Sequence, residues 1–288
     1  MRLALHINDY SGLEPARMAP GLARIASTAE ETGFSRLSLT DHLWQVSMIG
    51  EEHEPMLEAY TTLGYLAGRT RSIELQTLVT AVTYRSPGLL AKIVTTLDVL
   101  SGGRAWLGIG AGWNAQEATG LGLPFGPQGD RFARLEETLR ICLAMWADGD
   151  EPFVGEHYQL GGTLNSPQAL SRPRPRILVG GSGERVTLRL AARYADAFNV
   201  YGGPDAAQKV ARLREHCEAV GRDIDAVEKT ALLPLAADAP GEVERLLAEL
   251  RRLHELGFTT VYCAVTDVAD LRPLETLGAK VIPEIAGW

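Results

Sequence analysis

Cysteine is scarce in this chain. Three residues in 288, at positions 142, 217 and 263, are too few and too scattered for a disulfide framework or a zinc site. They read as reduced thiols in or near the core. Positive charge is also short. Twenty-eight Lys and Arg against 36 Asp and Glu leave a net charge of −8, which argues against nucleic acid or an anionic membrane as partner. A phosphorylated small molecule stays open, because a few arginines and backbone amides suffice to hold one. No apolar run approaches membrane-spanning length. The opening MRLALHINDY reaches Asp9 too soon for a signal peptide, so a cytoplasmic protein is expected. HExxH, paired carboxylates and a nucleophile elbow are all missing, which leaves hydrolytic chemistry without visible machinery. There is no interdomain linker and no repeat beyond a strand–helix alternation, so residues 1–288 read as one domain.

That alternation is the main positive signal. Apolar runs at Leu3–Asn8, Arg36–Thr40, Ile73–Val82, Arg104–Ile109, Ile177–Gly180, Ala197–Val200, Thr230–Ala236 and Thr259–Ala264 read as strands. Amphipathic stretches at Pro20–Thr32, Met56–Thr70, Pro87–Leu100, Arg131–Ala147, Glu184–Tyr194, Asp205–Val220, Gly241–Leu256 and Val268–Leu277 read as helices. Strands that are apolar throughout, rather than at alternate positions, indicate a parallel sheet covered by helices. Eight such pairs fit an α/β fold of the (β/α)8 (TIM) barrel type. Pro20 and Pro87 sit in first helical turns, while Gly33 and Gly257 sit where helices end. Residues 149–176, rich in Gly and Pro, read as an insertion between the fourth helix and the fifth strand, with a hairpin around Phe153–Leu160.

In such a barrel the active site gathers at the C-terminal ends of the strands. Those ends carry Asn8, Asp41-His42, Thr80–Thr83, Gly110–Asn114, Gly180–Gly183 and Asn199–Gly203. Gly180-Gly181-Ser182-Gly183, read as opening a helix, is a candidate anion site with Arg185 nearby; a plain tight turn explains the glycines equally well. The small residues around Gly110 and Gly112 would let a flat ring approach the backbone, with Trp113 stacked on it. His42 is the candidate acid or base, with Asp41 to orient it. His6 can point into the barrel or simply pack there. Arg131 and Arg134 read as a solvated helix face, with Arg131 close enough to the barrel mouth to reach a phosphate.

The ordered strings AEETGFSRLSLTDHLW (29–44), YRSPGLLAKIVTTLDVLSGGRAWLGIGAGW (84–113), PFGPQGDRFARLEETLRICLAMW (124–146) and RPRPRILVGGSGERVTLRLAARYADAFNVYG (172–202) resemble the bacterial luciferase-like monooxygenase family, in particular its branch that uses coenzyme F420. The likeness covers about the first two-thirds of the chain. It implies a luciferase-like (β/α)8 barrel with F420, or alternatively FMN, at the mouth. It also implies a non-proline cis peptide near Ala81-Val82. His42 is implied as the catalytic residue. Asn8, Thr80, Ala81, Val82, Gly110, Gly112, Trp113, Gly180, Gly181, Ser182, Gly183 and Arg185 are implied as cofactor contacts, and Trp44 and Tyr201 as substrate-pocket residues. Loops 43–55 and 149–176 would act as a lid over a small-molecule substrate. A homodimer is also implied, with which the apolar Met56–Leu66 stretch is consistent although a buried core explains it equally well, and the FMN alternative implies a separate cofactor reductase.

The sugar-phosphate dehydrogenases of that branch carry a glutamate in the strand-four loop, where this chain has Gly112-Trp113-Asn114 and only later Glu117. The expected activity is therefore hydride transfer between F420 and an activated alkene, ketone or imine. The alternatives are an FMN-dependent monooxygenase and a non-catalytic flavin-binding barrel.

Overall fold

The computed structural model describes residues 1–235, 241–265 and 269–288; Ala236 and Val268, expected in a strand and a helix, lie outside them. In chain order the elements are β1 (Arg2–Ile7), α1 (Met18–Glu31), β2 (Arg36–Leu39), α2 (Ala59–Ala67), β3 (Glu74–Thr77), β4 (Thr80–Ala81) and α3 (Pro87–Ser101). There follow β5 (Ala105–Gly110), α4 (Ala115–Gly120), α5 (Gln128–Met145), β6 (Phe153–Val154), β7 (Gln159–Leu160), β8 (Arg176–Gly180), α6 (Thr187–Tyr194) and β9 (Ala197–Tyr201). The chain ends with α7 (Ala206–Ala219), β10 (Glu228–Leu235), α8 (Glu242–Glu255), β11 (Thr260–Val265), α9 (Arg272–Lys280) and α10 (Ile282–Ile285).

The large sheet runs β3-β2-β1-β11-β10-β9-β8-β5-β4, and β3 also pairs with β5, which closes it into a barrel. Every pairing in it is parallel. Helices cover the outside, and their apolar stripes meet the outward strand residues in one continuous core. A smaller cluster of Ala4, Leu78, Trp106, Leu178, Ala197 and Tyr262 fills the barrel itself. The (β/α)8 expectation is met because parallel strands buried on both faces need apolar residues throughout. Gly33 (φ 93°) and Gly257 (φ 84°) end α1 and α8 in the left-handed conformation that favours glycine.

β3 and β4 are two pieces of one stave. Gln76 lies opposite Trp106, but Thr80 lies opposite Ile109, so this stave has one residue more than its partner over the interval. The extra residue bulges at Leu78-Val79, whose peptide is cis. The expected position near Ala81-Val82 was three residues late. Pairing with β5 breaks after Gln76 and has already resumed at Thr80, so the irregular backbone falls between them. Three glycines make room for it. A Cβ on Gly108 would stand 1.9 Å from the Thr77 carbonyl oxygen, one on Gly180 2.7 Å from Val79, and one on Gly110 3.0 Å from Val79.

An ion cluster plugs the opposite, N-terminal end of the barrel. The Arg36 guanidinium lies 3.7 Å from the centre of a Trp106 ring, donates to Tyr262 Oη at 2.6 Å, and pairs with Glu74 at 2.9 Å and Glu228 at 3.5 Å. Burial opposes ionisation of Glu228, but the Arg36 charge holds its carboxyl below the usual range.

Residues 149–176 do form a separate excursion with the β6–β7 hairpin, yet none of them lines the cavity at the barrel mouth. Two carboxylates pin them to the outside instead. Asp98 of α3 accepts from the Leu170 and Ser171 amides at 2.6 and 2.9 Å, and Glu137 of α5 accepts from the Glu156 and Tyr158 amides at 2.7 and 2.9 Å. The lid expectation therefore holds no place for this segment. Several helices also differ from expectation, among them α9, which runs over Arg272–Lys280 rather than Val268–Leu277. Residues 184–186 form a turn, so α6 begins at Thr187; α5 begins at Gln128, just after Pro127; and α4 is a short helix that the Gly-rich loop concealed. In α2, Tyr60, Leu63, Leu66 and Ala67 face the chain's own core, which accounts for much of the apolar Met56–Leu66 stretch.

Gly108→Ala should lower stability by about 1–3 kcal/mol through overpacking against backbone that cannot swing away, seen as a drop in Tm of several degrees. Gly64→Ala, where a Cβ meets nothing within 4 Å inside α2, is the matched control. It should be neutral or stabilising by up to about 1 kcal/mol. Equal Tm values for the two variants would contradict the packing argument.

Candidate active site

A cavity of about 390 Å³ opens at the C-terminal ends of the strands. Its deep wall is the bulge, with Leu78, Val79, Thr80 and Ala81. Gly110, Ala111 and Gly112 follow from the end of β5, Gly180–Gly183 from the end of β8, and Asn199 and Tyr201 from β9. Strand order thus brings together residues as far apart in the chain as His6 and Leu232. Of the residues expected at the site, Asn8, His42, Thr80, Ala81, Gly110, Gly112, Trp113, Gly180, Gly181, Ser182, Gly183 and Tyr201 line this one cavity.

Three expected residues do not. Val82 is 1% exposed and turned into the outer core, with its amide on the Gly110 carbonyl at 2.9 Å. Trp44 packs over Gly120 of α4, where a Cβ would stand 2.0 Å from the indole. Arg185 is exposed on the turn before α6, outside the cavity. Arg131 does not reach the mouth either. Its guanidinium stacks 4.0 Å from the Phe125 ring centre and donates to the Gly126 carbonyl.

His42 is held by a group other than the one expected. Asp41 turns away and takes two hydrogen bonds from Arg85, at 2.6 and 3.0 Å. Glu117, fully buried, accepts from His42 Nδ1 at 2.7 Å, from the Trp44 amide at 3.1 Å, and from the Leu43 amide and the Tyr84 hydroxyl. Burial alone would raise its pKa. The hydrogen bonds from His42, Tyr84 and Leu43 prevail and hold the carboxyl below the usual carboxylate range. The carboxylate can only accept, so the proton on that edge of His42 sits on Nδ1 and Nε2 is left for the cavity. Trp113 meets the same ring edge-on, with centroids 5.3 Å apart at 69°. The Glu117 role had a signal in the sequence. Asn114 and Glu117 stand in the N-x-x-E spacing of a capping box, and Asn114 Oδ1 does accept from the Glu117 amide at 3.2 Å. What the spacing could not show is that the Glu117 side chain turns toward β2 rather than back to its own helix.

His6 gives the cavity a second imidazole. The Ser38 hydroxyl donates its single proton to the Leu5 carbonyl, so it must accept from His6 Nδ1 at 2.9 Å. The other nitrogen, Nε2, is then a lone-pair acceptor. Burial pushes the His6 pKa down to about 4, only partly offset by Ser38, so the ring is neutral near pH 7. At the opposite wall, the amides of Ser182 and Gly183 have no acceptor among the described residues, while the Gly181 amide is taken by the Asn199 carbonyl. Gly183 has no room for a side chain, since a Cβ would meet Thr187 Oγ1 at 2.7 Å. Open amides without blocking side chains suit phosphate oxygens. Among the described residues no cluster of His, Cys, Asp or Glu could hold a metal, and no helix is long and apolar enough to cross a membrane.

Comparison with known proteins places this geometry in a wider setting. The model of the family described as luciferase-like monooxygenase matches residues 7–268. An F420-dependent glucose-6-phosphate dehydrogenase of Kineococcus radiotolerans is 33% identical over 230 residues, 77% of this chain and 66% of its own length, so the chain spans just under two thirds of that relative. The coenzyme F420-dependent tetrahydromethanopterin reductase of Methanopyrus kandleri superposes with a TM-score of 0.80 at 18% identity, covering 98% of this chain and 99% of the other. Monooxygenase RslO1 of Streptomyces bottropensis does so with a TM-score of 0.79 at 20% identity, covering 99% of each.

Glu117→Gln should reverse the His42 tautomer. The Leu43 and Trp44 amides will claim the new amide oxygen, which turns the NH2 group toward His42 Nδ1 and makes that nitrogen an acceptor. Imidazole 15N shifts should show the proton on Nδ1 in the unmodified protein and on Nε2 in the variant. The same tautomer in both would refute the positioning role of Glu117.

Proposed function

The chain belongs to the luciferase-like monooxygenase family, and on that premise we propose that it is a coenzyme F420-dependent oxidoreductase. In this reading it transfers a hydride between the deazaflavin and a small organic substrate, either a ketone, an imine or an activated alkene. The observation that carries the proposal is a single cavity with open amides at one wall and a tautomer-fixed histidine at the other. F420 is preferred to FMN because the relative from Kineococcus radiotolerans is named F420-dependent. The superposable structures include both an F420 enzyme and a monooxygenase and do not choose between them.

The residues fit such a group. The Ser182 and Gly183 amides would take its phosphate. The glycine-lined wall above Val79 leaves space for a flat ring system, with Gly110 and Gly112 giving access from the β5 side. When bound, the cofactor supplies or accepts the hydride. His42 handles the accompanying proton while Nδ1 keeps its own toward Glu117: as the imidazolium, Nε2 donates to the substrate oxygen or nitrogen during reduction, and as the neutral ring it accepts from it during oxidation. Glu117 keeps the ring in the orientation that presents Nε2. Val46, Met48 and Ile49, from the loop after β2, wall the mouth and limit water around the reacting carbon.

Parallel fluorescence titrations of the apo-protein with F420 and with FMN test the cofactor assignment. Tighter binding of F420 is expected, and Ser182→Asp should weaken it about tenfold or more, because a carboxylate then faces the phosphate. Preference for FMN would move the chain to the monooxygenase reading, and binding of neither would end both.

A further inference from the structure

The cavity has no cationic side chain. Among the described residues that line it there is no Lys or Arg, and the undescribed stretches, AADAP (236–240) and TDV (266–268), contain none in their sequence. Three of the cations that come near are already committed. Arg85 is held by Asp41 and Glu58. Lys209 reaches the Ser182 carbonyl, Glu184 and Asp205. Arg252 is bound to Glu249 and to the Gly202 carbonyl. Arg185 stands outside, next to the Ser182–Gly183 amides that the cofactor reading assigns to the cofactor's own phosphate.

The other end of the cavity is apolar and uncharged. Met48 and Trp113 are 71% and 56% exposed, Ile49 and Tyr201 are 40% and 60% exposed, and all four line the mouth. Large apolar side chains left this open around a concavity mark a surface that a ligand covers. The polar groups deeper in are neutral or spent. His6 is a neutral acceptor, with its pKa pushed down to about 4, and the Asp41 carboxylate is neutralised by Arg85. A phosphomonoester bound here would lose its hydration and meet no cation in return. A second phosphate has only the open amides available, and the cofactor would occupy those first.

Resting on the F420 reading, we propose that the substrate of this site is an uncharged, largely apolar carbonyl compound or the corresponding alcohol, and that phosphorylated sugars are excluded. The substrate named for the 33% identical relative therefore does not carry over to this chain. The chemistry balances with the groups already described. In the oxidising direction the alcohol carbon gives up a hydride to the oxidised deazaflavin and its hydroxyl proton goes to His42. In the reducing direction the ketone takes up both.

Titration calorimetry with cyclohexanone and with glucose 6-phosphate, on the protein before and after addition of F420, tests the proposal. Cyclohexanone should bind at least about tenfold more tightly than glucose 6-phosphate, as expected where a charge is desolvated without a partner. Met48→Lys, which puts one cation at the mouth, should narrow that ratio by improving glucose 6-phosphate binding. Equal or tighter binding of glucose 6-phosphate by the unmodified protein would overturn the proposal, as would failure of both probes to bind. F420 binding is read separately from deazaflavin fluorescence, so the two readings fail independently. Absent F420 binding with cyclohexanone still preferred strikes the cofactor assignment alone, whereas F420 binding with glucose 6-phosphate preferred strikes the substrate class alone.

Discussion

One extra residue in one stave governs the working end of this barrel. Between Gln76 and Thr80 the chain advances one residue further than its neighbour β5, and the surplus projects inward as Leu78-Val79. Close packing leaves such a projection no space unless the facing positions lack side chains. Gly108, Gly110 and Gly180 supply that space from β5 and β8. The same glycines read, in the sequence, as a place for a ring to approach the backbone. In the fold their first task is to let the bulge exist. The deep wall of the cavity follows from it, and with that wall the depth at which a planar cofactor could lie.

Buried carboxylates form the second organising theme. Glu117, Asp98 and Glu137 each collect several donors, many of them backbone amides of loops that would otherwise lack partners. Charge-assisted bonds of this kind are stronger than neutral ones and fix loop geometry. An acidic chain thus spends part of its negative charge internally, on holding its loops. Asp41 and Arg85 show the same economy at the cavity edge, where the carboxylate is paired by two hydrogen bonds from one guanidinium.

Much of the barrel was legible in sequence because its signal is local. Continuous apolar strands, first-turn prolines and helix-ending glycines each reflect forces that act within a few residues. The register slip after Gln76 was not legible, because the run Ile73–Val82 carries no turn or breaker residue that would mark one extra residue within it. The later start of α6 was hidden for a similar reason: Glu184 to Val186 have acceptable helix propensity, and only the path of the turn decides that they stay outside it. Trp44 was expected in the substrate pocket, yet the short helix α4 offers Gly120 as a platform and draws the indole away.

By itself the sequence determined that this is a parallel α/β chain of eight strand–helix units, and that its polar and glycine-rich residues collect at one set of strand ends. Periodicity and turn chemistry carry that information residue by residue. Tertiary structure alone decided which groups act on one another. It gave His42 to Glu117 rather than to its neighbour Asp41, gave Asp41 to Arg85, and left the cavity without a cation. Pairings across 44 and 75 positions depend on where closure of the barrel sets each strand end, and no local pattern encodes that distance.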